Sequence, residues 1–122
     1  MAKILLCEDD PVFRGLVELT LRGKGHDVTC AEDGAEAVRR LSGAAYDLVI
    51  TDIVMPDQDG LELIRAMREH GTKLPILAVT AGMPDFGGIV QKAALAMGAN
   101  EVLLKPVAIA TLLGRIDALL AA

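Results

Sequence analysis

The chain has 122 residues, a formal net charge of -5 at pH 7 and a hydrophobic content of 52%. This length suits one domain with a single core, which we place at residues 1–122, and the hydrophobic content excludes a disordered chain. The acidic excess argues against direct binding of nucleic acid, because contact with a phosphate backbone requires a basic face.

In chain order, the sequence predicts five strand–helix units. The predicted strands are short runs rich in Val, Ile and Leu: Lys3–Cys7, Val28–Ala31, Leu48–Thr51, Ile76–Thr80 and Val102–Leu104. Their continuous apolar character is typical of parallel strands that are covered on both faces. Five such units favour a doubly wound α/β sandwich with a five-stranded parallel sheet.

A segment with helical periodicity follows each predicted strand. Asp10 is expected to cap the first helix and Pro11 to be its first residue, while Asp59 is expected to cap the third. The first helix is predicted from an apolar face that begins with Val12, Leu16, Leu19 and Thr20. The second helix is predicted at Gly34–Leu41. The others are predicted from Leu61, Ile64, Arg65 and Arg68; from Ile89–Met97, ending at Gly98; and from Ile109–Leu120, with Leu112, Leu113, Ile116 and Leu120 on one face.

The N-terminus and the cysteines give an expectation for location. Met1–Lys3 leads directly into an apolar segment without a signal-peptide cleavage pattern, and no uncharged apolar run approaches the roughly 20 residues of a membrane helix. Cys7 and Cys30 have no zinc-site spacing, and we interpret them as buried apolar residues of strands in a reducing compartment. We expect a cytoplasmic protein that does not bind membranes.

Polar groups follow four of the five predicted strands. Glu8–Asp10 follows the first, Asp52 the third, Thr80 ends the fourth and Lys105 follows the fifth. Ligands of doubly wound folds bind beyond the carboxyl ends of the strands, so we expect these groups to lie in one crevice. Crowded carboxylates favour a divalent cation, and Mg²⁺ combines one or two carboxylates with water and phosphate oxygens.

These residues can act together in phosphoryl transfer. A carboxylate is a known covalent nucleophile, as in aspartyl-phosphate formation. Glu8, Asp9 and Asp52 supply the ligand type that Mg²⁺ prefers, while Lys105 and Thr80 offer a positive charge and a hydroxyl to phosphoryl oxygens.

The ordered set of motifs resembles the response-regulator receiver domain of two-component signalling across essentially the whole chain. The matching segments are Ile4–Pro11, Leu48–Pro56, Asp59–Gly60, Val79–Ala81, Gly98–Ala99 and Lys105–Pro106. The resemblance implies the flavodoxin-like strand order 2-1-3-4-5. It implies that Asp52 is the phosphoacceptor, that Glu8 and Asp9 bind Mg²⁺, and that Asp9, Asp52 and the backbone carbonyl of Val54 are ligands.

The resemblance also implies partners and an activity. Thr80 becomes the switch hydroxyl and Lys105 the lysine that binds phosphate. A sensor histidine kinase or a histidine phosphotransfer protein would donate the phosphoryl group, and an unknown downstream protein would read the signal by contact with the fourth helix, fifth strand and fifth helix. The chain would catalyse its own phosphorylation and slow dephosphorylation without turning over a dedicated substrate. We expect a stand-alone regulator that resembles the chemotaxis receivers. A receiver fragment of a larger regulator or hybrid kinase, and a pseudo-receiver that only binds, stay open as alternatives.

The sequence departs from the family pattern at two places. Val102 replaces the aromatic residue whose ring usually couples to the switch hydroxyl, so we hypothesise that activation acts mainly through the glycine-rich segment 82–90. Val54 and Gly82 occupy positions that flank the attacking water, and neither side chain can hydrogen-bond to it. We therefore predict slow self-dephosphorylation relative to a Val54→Asn variant.

Two rivals from other classes lack a defining residue. A phosphatase of the haloacid-dehalogenase type needs a second Asp two residues after the nucleophile, where this chain has Val54. A nucleotide-binding domain needs a glycine-rich loop after the first strand, where Glu8–Pro11 would repel phosphate without a metal. His26 and His70 are interpreted as surface residues near element ends and not as phosphodonors.

Overall fold

The computed structural model describes residues 1–53, 60–81 and 88–122, in which strands and helices alternate. The strands are β1 (Lys3–Cys7), β2 (Asp27–Ala31), β3 (Leu48–Asp52), β4 (Ile76–Ala81) and β5 (Glu101–Lys105). The helices are α1 (Pro11–Gly23), α2 (Gly34–Gly43), α3 (Gly60–Glu69), α4 (Ile89–Met97) and α5 (Ile109–Ala121). Within those ranges, no helix combines the length and apolar character needed to cross a membrane.

The strands form one parallel sheet in the order β2-β1-β3-β4-β5, which confirms both the predicted fold class and the strand order. Cys7 pairs with Thr51, Asp52 with Val79, and Ala81 with Lys105. This register brings the carboxyl ends of the four neighbouring strands β1, β3, β4 and β5 to the same edge.

The sheet has a separate apolar cluster on each face. Ile4 and Leu6 point to one face of β1, whereas Leu5 and Cys7 point to the other, as the two-residue period of a strand requires. The first cluster includes buried residues of α1 and α5, and the second includes buried residues of α2, α3 and α4. Every residue of β3 is buried, which explains the continuous apolar runs in the sequence.

The face predicted for α1 is wrong. Val12, Leu16 and Leu19 are 79%, 47% and 72% exposed. Instead, α1 buries Val17 and Leu21 and packs the half-buried Phe13 against the same cluster. The helix carries two apolar stripes, and the sheet covers the one whose residues are spaced four apart.

Several helix ends have the expected caps. The Asp10 carboxylate accepts a 3.0 Å hydrogen bond from the Val12 amide, and Pro11 is the first residue of α1, so both predictions are confirmed. Gly98 ends α4 with a φ of 124°, in the left-handed half of backbone space that favours glycine. Asp59 lies outside the described residues, so its predicted cap on α3 stays a prediction.

The side chain of Arg68 ties the C-terminal ends of α3 and α4 together. Its guanidinium donates hydrogen bonds of 3.0 and 2.9 Å to the carbonyl of Gly98 and one of 2.8 Å to the carbonyl of Thr72. It also reaches Asn100 Oδ1, which accepts the amide of Ile76 at the start of β4. Arg68 therefore satisfies the carbonyl of the residue that caps α4 and a carbonyl in the segment that follows α3.

The cysteines lie in the adjacent strands β1 and β2. Cys7 is buried as predicted, but Cys30 is only half-buried. Burial raises the pKa of the Cys7 thiol to about 12 and that of the Cys30 thiol to about 11. Both thiols are therefore protonated at neutral pH and poor nucleophiles.

Candidate functional site

The carboxyl edge of the sheet gathers the charged residues singled out in the sequence. Glu8 and Asp9 follow β1, Asp52 is the last residue of β3, and Lys105 is the last residue of β5. One carboxylate oxygen from each of the three acidic residues lies within 4.8 Å of the others. Glu8 and Asp52 are buried, whereas Asp9 is exposed and opens the cluster to solvent.

Lys105 bridges two of these carboxylates. Its Nζ lies 2.8 Å from Glu8 Oε1 and 3.2 Å from Asp52 Oδ2. The side chain spans from β5 across the site to the ends of β3 and β1, so the ammonium lies beside the carboxylate that the sequence marks as nucleophile.

The carboxylate of Glu8 is held at both oxygens. Oε1 accepts the hydrogen bond from Lys105, and Oε2 accepts a 3.1 Å hydrogen bond from the Asp10 amide. Arg14 on α1 fixes the backbone, since its guanidinium donates a 2.8 Å hydrogen bond to the Glu8 carbonyl. Burial raises the pKa of Glu8 to about 7, and the nearby charge of Asp52 adds to this effect against the lowering influence of Lys105.

The ammonium of Lys105 stays charged in this environment. Burial acts to lower its pKa, but hydrogen bonds and attraction from Glu8 and Asp52 outweigh burial, so the pKa of Lys105 lies above its ordinary value. The site therefore holds a permanent positive charge next to Asp52 at neutral pH.

Two threonines lie at the same edge. Thr80 is buried near the end of β4, and its hydroxyl donates a 3.4 Å hydrogen bond to the carbonyl of Ala81. Thr51 is also buried, and its hydroxyl donates a 2.8 Å hydrogen bond to the carbonyl of Asp52. Thr80 follows Val79, which pairs with Asp52, so the register places Thr80 one residue beyond Asp52 on the neighbouring strand.

Gly60, the first residue of α3, closely approaches the end of β3. Its amide donates a 2.7 Å hydrogen bond to the carbonyl of Ile53, and a Cβ added at Gly60 would overlap the carbonyl oxygen of Asp52. Only glycine fits this approach. Val54 and Gly82 lie outside the described residues, as does segment 82–87 of the proposed activation loop, so the predictions for them stay predictions.

Val102 occupies a half-buried position in β5. It packs against the cluster shared by α2, α3 and α4 and pairs with Ala78 in the register of β4. An aliphatic side chain therefore lies where the family pattern has a ring.

Sequence inspection missed Phe13 and Arg14 at the site, and it identified Gly60 only as part of a matching motif without a role. Phe13 lies under the ammonium of Lys105, with the ring centroid 4.8 Å from Nζ, while Arg14 and Gly60 hold the backbone of Glu8 and the end of β3. Phe13 and Arg14 follow the cap residue Asp10 within one helical turn, and this spacing was the available signal. It could not indicate contact with Lys105, which is far away along the chain.

The comparisons with known proteins agree with this geometry. The family model described as the response regulator receiver domain matches residues 4–117. The chain belongs to this family. Receiver domains of two-component response regulators are phosphorylation-dependent switches, and they bind Mg²⁺ at an acidic site.

Individual relatives show in which proteins such receiver domains occur. The transcriptional regulatory protein TrcR of Mycobacterium tuberculosis is 34% identical over 118 residues, which cover 97% of this chain and 45% of the relative. The sensor protein EvgS of Escherichia coli is 40% identical over 103 residues, which cover 84% of this chain and 8% of the relative. The chain thus spans less than half the length of these two curated relatives.

A solved structure provides a closer geometric comparison for the receiver domain. The response regulator protein TrrA of Thermotoga maritima, in complex with Mg²⁺-BeF, matches with a TM-score of 0.82 and 30% identity. The match covers 98% of this chain and 99% of that chain.

Proposed function

We propose that residues 1–122 form one receiver domain that accepts a phosphoryl group on Asp52 with the help of Mg²⁺. The observation that carries this proposal is the contact of Lys105 Nζ with Asp52 Oδ2 at 3.2 Å, within a cluster of three carboxylates. A buried carboxylate, a permanent positive charge and an acidic cluster of the kind that suits Mg²⁺ thus lie together at the carboxyl edge of the sheet, which supports the proposal.

Asp52 is the nucleophile of the proposed reaction. A carboxylate oxygen of Asp52 forms a bond to phosphorus while the phosphorus–nitrogen bond of a phosphohistidine donor breaks, and the electron pair of that bond stays on the imidazole nitrogen. The product is an acyl phosphate on Asp52. Phosphoryl transfer depends mainly on positioning and charge neutralisation. The burial of Asp52 supports its positioning, and the Lys105 ammonium 3.2 Å from Asp52 Oδ2 supplies positive charge.

The three carboxylates suit Mg²⁺. Glu8 and Asp52 offer carboxylate oxygens from buried positions, and Asp9 offers one from an exposed position. The exposed side of the cluster leaves room for the water and phosphoryl oxygens that complete the ligand shell of Mg²⁺. Asp9 and Asp52 would be direct ligands, together with the carbonyl of Val54, which lies outside the described residues. Mg²⁺ bound there would offset the negative charge of the carboxylates and of the incoming phosphoryl group.

Lys105 and Thr80 would bind the transferred group. The ammonium of Lys105 already lies beside Asp52, so it can pair with a phosphoryl oxygen without a large movement. The hydroxyl of Thr80 now donates to the backbone of Ala81 over 3.4 Å, a long hydrogen bond that a phosphoryl oxygen can replace. We propose that this exchange starts the signal.

A protein donor and a protein target complete the proposed function. A sensor histidine kinase or a histidine phosphotransfer protein would supply the phosphoryl group, and a downstream protein would bind the phosphorylated form. The net charge of -5 supports signalling through protein contact and not through nucleic acid. We place the protein in the cytoplasm, which agrees with two cysteines present as thiols in adjacent strands.

Intact mass spectrometry after incubation with acetyl phosphate tests the proposal. We expect one phosphoryl adduct that requires Mg²⁺ and is lost in Asp52→Asn. Asp10→Asn is the matched control, because it removes a carboxylate two residues from Glu8 and keeps a good helix cap; it should retain the adduct. A folded parent protein that gains no adduct would instead be a pseudo-receiver.

A further inference from the structure

We propose that Phe13 is a positioning residue for phosphoryl transfer, because its ring holds the ammonium of Lys105 over the site through a cation–π contact. The inference rests on the proposed role of Lys105 in binding the phosphoryl group. Lys105 Nζ lies over the Phe13 ring, 4.8 Å from its centroid, well inside the range of about 6 Å for this interaction.

The ring has a fixed position from which to act. Phe13 lies in the first turn of α1 and packs, half-buried, against the apolar cluster between the sheet and helices α1 and α5. A side chain packed in this way keeps its rotamer, whereas Lys105 has a flexible four-carbon stem and is 21% exposed. The rigid residue therefore orients the flexible one.

The other partners of Lys105 change during the proposed reaction, and the ring does not. Asp52 Oδ2 belongs to the carboxylate that becomes the acyl phosphate, and Glu8 belongs to the acidic metal site. Both ion pairs of Lys105 are therefore rearranged when Mg²⁺ binds and Asp52 is phosphorylated. The contact with Phe13 involves no reacting atom, so it can hold the ammonium before, during and after transfer.

A cavity next to the ring offers space for a second position of the Lys105 ammonium. It has a volume of about 350 Å³, is open to solvent and is lined by Asp10, Phe13, Lys105, Pro106 and Val107. An ammonium that lost the ring could turn into this space and become hydrated, away from Asp52. The ring thus favours the position of Lys105 that the reaction needs.

A series of ring fluorinations measures this contribution directly. Phenylalanines with one, two and three ring fluorines at position 13 weaken the negative face of the ring with little change in its shape. The rate of Asp52 phosphorylation by subsaturating acetyl phosphate should fall stepwise, and loss of the ring in Phe13→Leu should lower it about three- to thirty-fold. Phe13→Tyr, which keeps an aromatic face, should restore most of the rate.

The chain offers a matched control in a second pair of this kind. Lys3 lies over the ring of Tyr46, 5.2 Å from its centroid, and Lys3 begins β1 at the opposite end from the site. The same fluorinated residues at position 46 should leave the phosphorylation rate unchanged. In a Lys105→Gln background, fluorination at position 13 should also have no effect, because the cation is gone.

The outcomes separate this inference from the proposed function. A graded fall at position 13 that disappears in Lys105→Gln supports the positioning role. If the parent is phosphorylated at Asp52 but fluorination at position 13 leaves the rate unchanged, the positioning role alone is overturned. A fall in rate with fluorination that persists in Lys105→Gln overturns it as well. A folded parent that gains no phosphoryl group overturns the proposed function, and the role of Phe13 falls with it.

Discussion

Replacing Lys105 with methionine tests how strongly the ammonium stabilises the surrounding carboxylates. The side chains of its partners Glu8 and Asp52 are only 2% and 9% exposed, so removing Lys105 leaves two buried negative charges close together. Loss of one partner from a buried ion pair costs about 3–5 kcal/mol. Glu8 has a pKa of about 7 and can take up a proton, which relieves part of this cost. We expect a loss of about 2–3 kcal/mol in the free energy of unfolding at neutral pH without metal.

Urea unfolding followed by far-ultraviolet circular dichroism measures this loss with a chelator and with saturating Mg²⁺. A divalent cation bound by the carboxylates replaces the missing positive charge, and any ligand bound only by the folded state adds to its stability. The loss should therefore shrink by more than half when Mg²⁺ is present. A loss of the same size in both conditions would refute the expectation that a divalent cation replaces the charge of Lys105 at these carboxylates.

Lys92→Met is the matched control for Lys105→Met. Lys92 is exposed on α4, so its replacement should change the free energy of unfolding by no more than about 0.5 kcal/mol in either condition. If Lys105→Met is as mild as this control, the ion pairs at the site contribute little to stability.

Three further predictions follow from single contacts. In metal-free protein, stability should fall as pH rises from 4.5 to about 7, because burial raises the pKa of Glu8 and the folded state retains a proton that the unfolded chain releases. This loss of stability is at most about 3 kcal/mol. Urea unfolding of Glu8→Gln at the same pH values should show no such fall, and a fall as large as the parent's would show that Glu8 does not cause it. Arg68→Ala should lower the free energy of unfolding in urea by about 2–3 kcal/mol, because it leaves the carbonyls of Gly98 and Thr72 without their hydrogen-bond donor. Arg65→Ala on the same helix should lower it by less than about 0.5 kcal/mol, and equal losses would show that Arg68 does not link α3 to α4. Gly60→Ala should lower the rate of phosphorylation more than about tenfold, because the added Cβ overlaps the carbonyl oxygen of Asp52 and displaces the end of β3. A displacement of about 1 Å at a reacting group can lower a rate about a hundredfold. Gly114→Ala, in open space on α5, should leave that rate unchanged, and a Gly60→Ala rate equal to the parent's would show that the close approach is not required.

Local patterns in the sequence predicted the elements of the fold well. β3 is buried along its whole length, which explains why its residues form the continuous apolar run that favoured a strand covered on both faces. Asp10 followed by Pro11 marked the start of α1, because both residues have a specific physical role at a helix N-terminus. The strand order could not be obtained in this way, since local periodicity does not specify which strands become neighbours; it came with the family resemblance.

The side chains that complete the site were harder to predict. Lys105 contacts Glu8, which lies 97 residues earlier, and such a contact depends on the assembled sheet and on the reach of a flexible side chain. The orientation of α1 was mispredicted for a related reason. The helix has two apolar stripes, and only the tertiary structure determines that Phe13 faces inward while Val12 faces solvent.

Identification of the phosphorylated side chain by borohydride reduction tests the proposed chemistry most directly. The protein would be treated with acetyl phosphate and Mg²⁺, and the acyl phosphate would then be reduced to an alcohol and located by peptide mapping. We predict conversion of Asp52 to homoserine, with Asp9 and Asp10 unchanged. Homoserine at another position, or none in a folded protein that has been exposed to Mg²⁺ and acetyl phosphate, would contradict the assignment of Asp52 as the phosphoacceptor.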